Sequence, residues 1–287
     1  MQVLPDPVSL SALQALLLGV LQGFTELFPF SSLGIQVIVP RLLHWGIDQS
    51  NVQFLAFVVS LHLGTAAGLL VCFWRDWVEL LTALWASLVQ GLERVRREPR
   101  QKSIWLLIAA TVPAGLVGLL FQHKLGALFA APRLAAALLI VNGGIMFFGE
   151  RLAGGGSGEE IPAMRFPQAI GIGVAQILAL IPGLSRSGVT MVGGRLVGLG
   201  YETAARFSFL LATPIIAAAA LLELHKLHGG AHGLLVPAAL GFVAAAVVAY
   251  LSARYLLRYF QTRRLAPLAA VSAGAGIVFS LLLAFGL

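Results

Sequence analysis

A cluster of hydroxyl side chains around one arginine is the part of this sequence best suited to chemistry. The stretch IPGLSRSGVT follows a long apolar run and contains Ser185, Arg186, Ser187 and Thr190. An ionisable residue inside an apolar segment is costly and points to a functional site. The planar fork of a guanidinium suits a phosphate group, which it can bind through two hydrogen bonds. The stretch therefore predicts an anion site, with the hydroxyls as further contacts to the ligand.

A second polar stretch lies in the first part of the chain. GVLQGFTELFPFSSLG interrupts an apolar run with Gln22, Glu26, Ser31 and Ser32. Gln22 and Glu26 are one helical turn apart, so they share a face and suit a common ligand. Glu26 suits three roles: a general base, a ligand of a divalent cation that holds a phosphate, or the partner of Arg186 in a structural ion pair. Ser32 is our candidate for the nucleophile, or for the residue that positions an attacking water.

The regions that contain the two polar stretches align without gaps: GVLQGFTELFPFSSLG, at 19–34, aligns with GVAQILALIPGLSRSG, at 173–188. Each consists of an apolar helix, a break that contains proline, and a second short helix that begins near Ser32 or Ser187. Broken helices at membrane depth occur only where protein or a watery cavity surrounds the break, so we predict two re-entrant helical hairpins. Serine is a preferred N-cap, and a helix N-terminus attracts anions. The identical pairs are Gly19/Gly173, Val20/Val174, Gln22/Gln176, Ser31/Ser185 and Gly34/Gly188.

The composition places these hairpins in a membrane protein. Of the 287 residues, 59% are hydrophobic and 11% are charged, against about 25% charged in soluble domains. We predict an all-α polytopic membrane protein that forms a single membrane domain over residues 1–287. About six segments reach the roughly 20 residues that a transmembrane helix needs. They are residues 52–74, 103–122, 132–149, 203–223, 233–253 and 265–287.

The basic loops predict the orientation of the spans. ERVRREPRQK, at 93–102, holds five basic residues, and RYLLRYFQTRR, at 254–264, holds four. Both loops should be cytoplasmic, and this bias explains the net charge of +7 without a nucleic-acid partner. The chain then divides into a hairpin plus three spans at 1–152 and again at 160–287. An odd number of spans inverts the second copy, and such inverted repeats place their sites near the midplane.

Three other polar residues have weaker signals. His62 lies inside the first predicted span and is either a packing residue or an accessory group that titrates in the site. Arg195 and Arg206 lie near helix ends, where snorkelling to the membrane surface accounts for them.

Two motifs resemble one known family. QGFTELFPFSS resembles the (E/Q)xxxE-then-PxSS motif of the undecaprenyl-diphosphate phosphatases, the bacitracin-resistance proteins, and PGLSRSGVT resembles their PGxSRSxxT motif. SLHLGT and ARFSFLLATP are also similar, so the resemblance covers essentially the whole chain. It implies a bacterial plasma-membrane enzyme that removes one phosphate from undecaprenyl diphosphate and recycles the lipid carrier for cell-wall polymers. It also implies a site open to the periplasmic side, dependence on Mg²⁺ or Ca²⁺, and in many members a homodimer.

The resemblance also implies roles for individual residues. Carried over by position, Glu26, Ser32 and Arg186 are the expected catalytic residues, and Glu26 is the expected metal ligand. The residues expected to bind substrate are Gln22, Ser31, Ser185, Ser187 and Thr190.

One position departs from the family pattern. The first motif commonly ends in SSxGH, with a catalytic role assigned to the histidine, whereas Ile35 stands there in this chain. Either the chemistry does not require that histidine, or His62 substitutes for it, or the protein binds polyprenyl phosphates and hydrolyses them poorly. The last possibility leaves a second function open: a flippase that translocates undecaprenyl phosphate, since an inverted repeat with a midplane anion site is also transporter architecture.

Overall fold

The computed structural model describes residues 10–47, 51–126, 131–154, 158–226 and 234–285. Within these ranges the chain forms eleven α-helices, and its strand-like pairing is limited to one isolated bridge between Glu159 and Leu199. The helices are α1 Ala12–Thr25, α2 Ser32–Leu42, α3 Val52–Cys72, α4 Trp74–Gln90, α5 Pro99–Gly126, α6 Pro132–Ala153, α7 Phe166–Gln176, α8 Arg186–Leu196, α9 Tyr201–Lys226, α10 Leu235–Thr262 and α11 Ala266–Ala284.

Six of these helices are long and apolar enough to cross a membrane: α3, α5, α6, α9, α10 and α11. The all-α polytopic fold and its six spans are therefore confirmed. The predicted end of the fifth span at residue 253 is wrong, because α10 continues to Thr262. Arginines at the end of a helix can extend their charge out of an apolar layer, so basic residues do not end the helix. Residue 233, the predicted start of that span, and residues 286–287 lie outside the described ranges.

The sequence analysis missed helix α4. It follows α3 after the single residue Phe73 and buries Leu80, Ala83 and Ser87 along one face. The Ser87 hydroxyl accepts a hydrogen bond from Trp105 Nε1 of α5 at 3.0 Å. Charged residues near its start keep α4 out of a search for long apolar runs, although one face is apolar. Among the described residues, the first half of the chain thus holds six α-helices and the second half five.

The two predicted hairpins are present as pairs of short helices with matching caps. In the first, α1 packs against α2, and in the second α7 packs against α8. Ser31 caps α2 by accepting a hydrogen bond from Gly34 N at 3.2 Å, and Ser185 caps α8 by accepting one from Gly188 N at 3.2 Å. The aligned serines therefore have the same local role.

The aligned glycines also have the same role in helix packing. A Cβ on Gly19 would lie 2.5 Å from the Gly241 carbonyl oxygen of α10, and one on Gly173 would lie 2.3 Å from the Ala110 carbonyl oxygen of α5. Small residues allow such close approach of helix backbones in membranes. Helices α5 and α10 are themselves equivalent in the predicted repeat, so this arrangement agrees with it. Residues 153–159 separate the two predicted halves, and of these residues 155–157 lie outside the described ranges.

The expectation that Arg195 snorkels to the membrane surface is wrong. Arg195 is buried, its guanidinium donates to the carbonyl oxygens of Leu199 and Gly154, and it lies over the ring of Tyr201. A buried guanidinium needs hydrogen-bond acceptors, and the carbonyl of Leu199, just beyond α8, and that of Gly154, the C-cap residue of α6, supply them. Arg206 lies in an ion pair with Asp76.

Candidate active site

The carboxylate of Glu26 lies at the centre of the polar cluster. Glu26 directly follows the last residue of α1, and only 8% of its side chain is exposed. Its Oε2 accepts hydrogen bonds from Ser32 Oγ at 2.5 Å and from Gln22 Nε2 at 3.2 Å. Gln36 Nε2 in turn donates to Gln22 Oε1, which orients the Gln22 amide so that its NH₂ group points at the carboxylate. A carboxylate that accepts the proton of a serine hydroxyl is the arrangement of a nucleophile and its base.

Arg186 reaches the same carboxylate from the second hairpin. Its Nη2 lies 3.2 Å and its Nε 3.4 Å from Glu26 Oε1, and its Nη1 donates to the Ser208 carbonyl oxygen of α9 at 3.0 Å. The two breaks therefore meet, as the repeat predicts. Because Arg186 and Glu26 are both almost fully buried, neither charge would be tolerated here without the other or an ionic ligand.

His62 is the third titratable group of the cluster. Its Nε2 lies 3.7 Å from Glu26 Oε2, and its Nδ1 lies 2.9 Å from the Val58 carbonyl oxygen. A carbonyl only accepts hydrogen bonds, so Nδ1 carries a proton and Nε2 faces the carboxylate. His62 is the middle residue of the 21-residue α3, which puts the cluster at mid-depth of that span.

Ser31 and Ser185 lie at the junction of the two hairpins. Besides the hydrogen bond that caps α2, Ser31 Oγ accepts one from the Gly183 amide at 2.9 Å. This second hydrogen bond joins the first break to the second. Ser185 Oγ lies 3.0 Å from Ser187 Oγ. The helices begin at Ser32 and Arg186, so the residues closest to the carboxylate are also the first residues of α2 and α8.

Two predicted substrate-binding hydroxyls are bonded within the protein. Thr190 Oγ1 lies 2.8 Å from the Arg186 carbonyl oxygen and 2.7 Å from Ser208 Oγ. Ser187 Oγ donates to the Phe28 carbonyl oxygen at 3.4 Å. These bonds hold the first turn of α8 against α9 and against the first hairpin. Substrate contact by Thr190 and Ser187 stays a prediction.

Asn142 of α6 is a residue that the sequence analysis missed. Its Nδ2 donates to the Pro29 carbonyl oxygen at 2.9 Å and to Ser272 Oγ at 2.9 Å, and its Oδ1 accepts a hydrogen bond from Ser185 N at 2.9 Å. The side chain therefore joins both breaks to α11. An asparagine in the middle of an apolar span was the available signal.

Ile35 packs against apolar side chains of α6. It is 7% exposed and belongs to an apolar cluster with Ala135, Ala136 and Leu139 of α6. The imidazole that the structure brings to Glu26 is that of His62. Of the three explanations for the missing histidine, substitution by His62 is the one that this geometry favours.

A divalent cation fits this site only with help from a ligand. No group of three or more histidine, cysteine, aspartate or glutamate side chains gathers as a metal site among the described residues. Mg²⁺ is commonly held by one or two carboxylates together with substrate phosphates and water. Glu26 supplies one carboxylate, and the Ser32 hydroxyl oxygen is next to it. The Gln22 amide presents its NH₂ group to the carboxylate, and its oxygen accepts from Gln36 Nε2. The donor set fits a cation shared with a phosphate.

Comparisons with known proteins show the family of this chain. The family model described as "Bacitracin resistance protein BacA" matches residues 15–278. The chain is 47% identical over 285 residues to an undecaprenyl-diphosphatase of Acidiphilium cryptum, with 96% of this chain and 100% of the relative covered. It is 46% identical to an undecaprenyl-diphosphatase of Granulibacter bethesdensis, with 88% of this chain and 89% of the relative covered. A third, from Mycolicibacterium paratuberculosis, is 44% identical, with 94% and 97% covered. The chain belongs to the BacA family of bacitracin resistance proteins.

Proposed function

We propose that this protein is an undecaprenyl-diphosphatase, which hydrolyses undecaprenyl diphosphate to undecaprenyl phosphate and inorganic phosphate. The relatives that match nearly the whole chain carry that name. The observation that carries the proposal is the position of Glu26, buried between the Ser32 hydroxyl and the Arg186 guanidinium. In this proposal Ser32 is the nucleophile, Glu26 is its base and the Arg186 guanidinium binds phosphate; the contacts among the three side chains support these roles. The reaction returns the lipid carrier to cell-wall synthesis.

In the proposed reaction Ser32 attacks the terminal phosphorus of the diphosphate. A bond forms between Ser32 Oγ and that phosphorus, the anhydride P–O bond breaks, and undecaprenyl phosphate leaves. The hydroxyl proton passes to Glu26 Oε2, the atom to which Ser32 already donates at 2.5 Å. Water then attacks the phosphorus of the phosphoserine, and its oxygen stays on the released inorganic phosphate. Ser32 Oγ leaves and takes back the proton held by Glu26, and the proton lost by the water leaves with the phosphate. Attack by a water that Ser32 and Glu26 position is the alternative at this step.

Arg186 neutralises the phosphate charge in this proposal. In the described state its Nε and Nη2 point at Glu26 Oε1, while Nη1 is anchored on the Ser208 carbonyl. A phosphate that enters beside Glu26 would take over one or both of these N–H groups, with the N-termini of α2 and α8 as further donors. Positioning and charge stabilisation supply most of the acceleration in phosphoryl transfer.

A divalent cation is part of the proposal. Mg²⁺ or Ca²⁺ would be held by Glu26, with the Ser32 hydroxyl as a neighbouring oxygen donor, and would neutralise charge on the diphosphate when bound. Of the alternatives for Glu26, the ion pair with Arg186 is present in the described state. This ion pair is compatible with the other two roles, general base and cation ligand, because only Oε1 of Glu26 faces the arginine.

We further propose the plasma membrane of a bacterium as the location and the periplasmic side as the side to which the site opens. The bacterial relatives and the six membrane-crossing helices support a multi-pass membrane protein that acts on a lipid. The periplasmic opening and a homodimer rest on the family resemblance.

The alternative function, a flippase for undecaprenyl phosphate, is not favoured by the names of the relatives. A flippase would need the buried arginine but not the contact between Ser32 and Glu26. The deciding experiment measures phosphate release from undecaprenyl diphosphate by the purified wild-type protein, with and without excess chelator, and by the purified Glu26→Gln variant. We expect release by the wild type, strong loss in Glu26→Gln and loss in chelator. Absence of release by the wild type, together with transfer of undecaprenyl phosphate across vesicles, would overturn the proposal, and full activity in chelator would remove the cation from it.

A further inference from the structure

A second polar cavity lies at the end of α3, between α3, α4, α9 and α10. Its volume is about 550 Å³, and the side chains that matter to its chemistry are Trp74, Arg75, Asp76, Arg206, Tyr250 and Arg254. This volume is within the roughly 300–1,000 Å³ that is common for small-molecule sites.

The cavity is separate from the candidate active site. Its wall includes Cys72, the last residue of α3, which lies ten residues beyond His62 and so about 15 Å further along the helix. Glu26, Ser32 and Arg186 are absent from its lining. A ligand here would not touch the reacting groups.

The charges that line the cavity do not cancel. Asp76 Oδ1 accepts hydrogen bonds from Arg206 Nε at 3.2 Å and from Nη2 at 2.5 Å, so this acid is already paired. Within the described part of the chain, Arg75 and Arg254 have no carboxylate partner within 4.0 Å. The cavity therefore carries a formal excess of two positive charges, from Arg75 and Arg254.

Aromatic residues hold both of these arginines in place. The Arg254 guanidinium lies 5.6 Å from the centre of the Tyr250 ring, and its Nη1 donates to the Tyr250 hydroxyl at 2.9 Å. The Arg75 guanidinium lies 5.3 Å from the centre of the Trp74 ring. Such contacts orient a guanidinium and leave most of its N–H groups for a ligand.

We propose that this cavity binds the phosphate group of an anionic phospholipid headgroup. Arginine forks suit phosphate oxygens. The rim faces the lipid, because Val71 and Trp74 are more than half exposed beside an apolar span. The cavity also lies at the end of the bundle that carries the basic segments 93–102 and 254–264, which the positive-inside rule assigns to the cytoplasm. Basic pockets between transmembrane helices on that side are suited to anionic headgroups.

The test uses the full-length protein in nanodiscs of phosphatidylcholine that contain a minority of phosphatidylglycerol. Native mass spectrometry counts the phosphatidylglycerol molecules that stay bound to wild type, to Arg75→Gln/Arg254→Gln, and to the control Arg258→Gln. Arg258 is exposed on the same helix as Arg254, one turn further on, and does not line the cavity. We expect the double variant to bind phosphatidylglycerol about tenfold more weakly, while the control matches wild type. Equal retention by all three proteins overturns the proposal. Thermal unfolding checks that the double variant is folded, and Arg254→Lys, which keeps the charge but loses the fork, should retain part of the binding.

A second measurement separates a headgroup from free phosphate. Inorganic phosphate is titrated into protein in neutral lipid while tryptophan fluorescence is followed, and Trp74→Phe identifies the part of the signal that comes from the cavity. Phosphatidylglycerol should change the Trp74 signal at low mole fractions, and inorganic phosphate should do so only weakly. Saturation by inorganic phosphate, with displacement of phosphatidylglycerol, would overturn the lipid assignment and make this a site for free phosphate.

Discussion

Arg186 Nη2 lies 3.2 Å from Glu26 Oε1, although 160 residues separate the two in the chain. Each residue comes from the break in a different hairpin, and each would be an uncompensated buried charge without the other. The pair therefore links the two halves of the chain at one point. In the proposed reaction a phosphate would compete with Glu26 for the Arg186 guanidinium, which contacts the Glu26 carboxylate in the described state.

Arg186→Lys should lower kcat for phosphate release about a hundredfold, and Arg186→Ala should lower it further. Lysine keeps the charge but has one nitrogen, so it cannot bond to the Ser208 carbonyl and reach a phosphate with a second, fixed donor. Steady-state phosphate release by purified protein measures the effect, with Arg258→Gln as a control for loss of a surface charge. A lysine variant that works at the wild-type rate would show that the fork geometry is irrelevant.

Ser32→Ala and Ser31→Ala should separate chemistry from structure. Ser32 donates to Glu26, so its removal should abolish turnover and leave stability nearly unchanged. Ser31 caps α2 and accepts the Gly183 amide, so its removal should lower the free energy of unfolding by about 1 kcal/mol. Thermal unfolding and phosphate release, measured on both variants, give the comparison. Radiolabelled substrate with the terminal phosphate marked should label wild type and not Ser32→Ala; turnover by Ser32→Ala near the wild-type rate would exclude serine attack.

The parts of the site that follow a local pattern could be predicted from the sequence. Gln22, Glu26 and Ser32 are close in the chain, and Arg186 stands out because a charge in an apolar run is costly. Their meeting followed from the internal repeat. The contact of Gln36 with Gln22 and the part played by Asn142 could not be predicted in this way, because they depend on which face of a helix turns toward the breaks.

His62→Gln should lower kcat about tenfold and leave the Glu26–Arg186 contact in place. Its Nε2 is the imidazole nitrogen nearest to Glu26, and glutamine can hydrogen-bond but cannot accept a proton at neutral pH. Ile35→His should not restore the rate when added to His62→Gln, because Ile35 lies among alanine and leucine side chains of α6. The rates of the single and double variants are the measurement. Rescue by Ile35→His would mean that this position reaches the substrate after all.

Asn142→Asp should reduce both stability and turnover. The aspartate keeps an acceptor for Ser185 N but cannot donate to the Pro29 carbonyl or to Ser272, and it adds a buried charge. Loss of a buried hydrogen-bond donor costs about 1–3 kcal/mol. The midpoint temperature of thermal unfolding should therefore fall. The rate of phosphate release should also fall, because both breaks lose a common support. Unchanged unfolding with unchanged rate would show that the asparagine only fills space.

The errors of the sequence analysis share one physical cause. Helix α4 and the extension of α10 carry charged residues, and a search for apolar runs ends where charges begin. Arg195 was assigned to the membrane surface because it lies near a helix end, yet it donates hydrogen bonds to the carbonyl of Leu199, just beyond α8, and to that of Gly154, at the end of α6. In each case the charged residues belong to a helix or to a tertiary contact that a search for apolar runs does not detect.

Gly173→Ala should destabilise the protein, whereas Gly171→Ala in the same helix should not. A Cβ at Gly173 would lie 2.3 Å from the Ala110 carbonyl oxygen, which cannot move without α5, whereas nothing lies within 4 Å of a Cβ at Gly171. Overpacking costs about 1–3 kcal/mol, while alanine at an open helical position gains up to about 1 kcal/mol. The midpoint temperature of thermal unfolding should therefore fall in Gly173→Ala and rise in Gly171→Ala. Gly19→Ala, whose Cβ would lie 2.5 Å from the Gly241 carbonyl oxygen, should behave like Gly173→Ala, because the two glycines occupy equivalent places in the repeat. If Gly19→Ala behaved instead like Gly171→Ala, the close approach of α1 to α10 would contribute nothing to stability, and the equivalence of the two hairpins would be limited to their breaks.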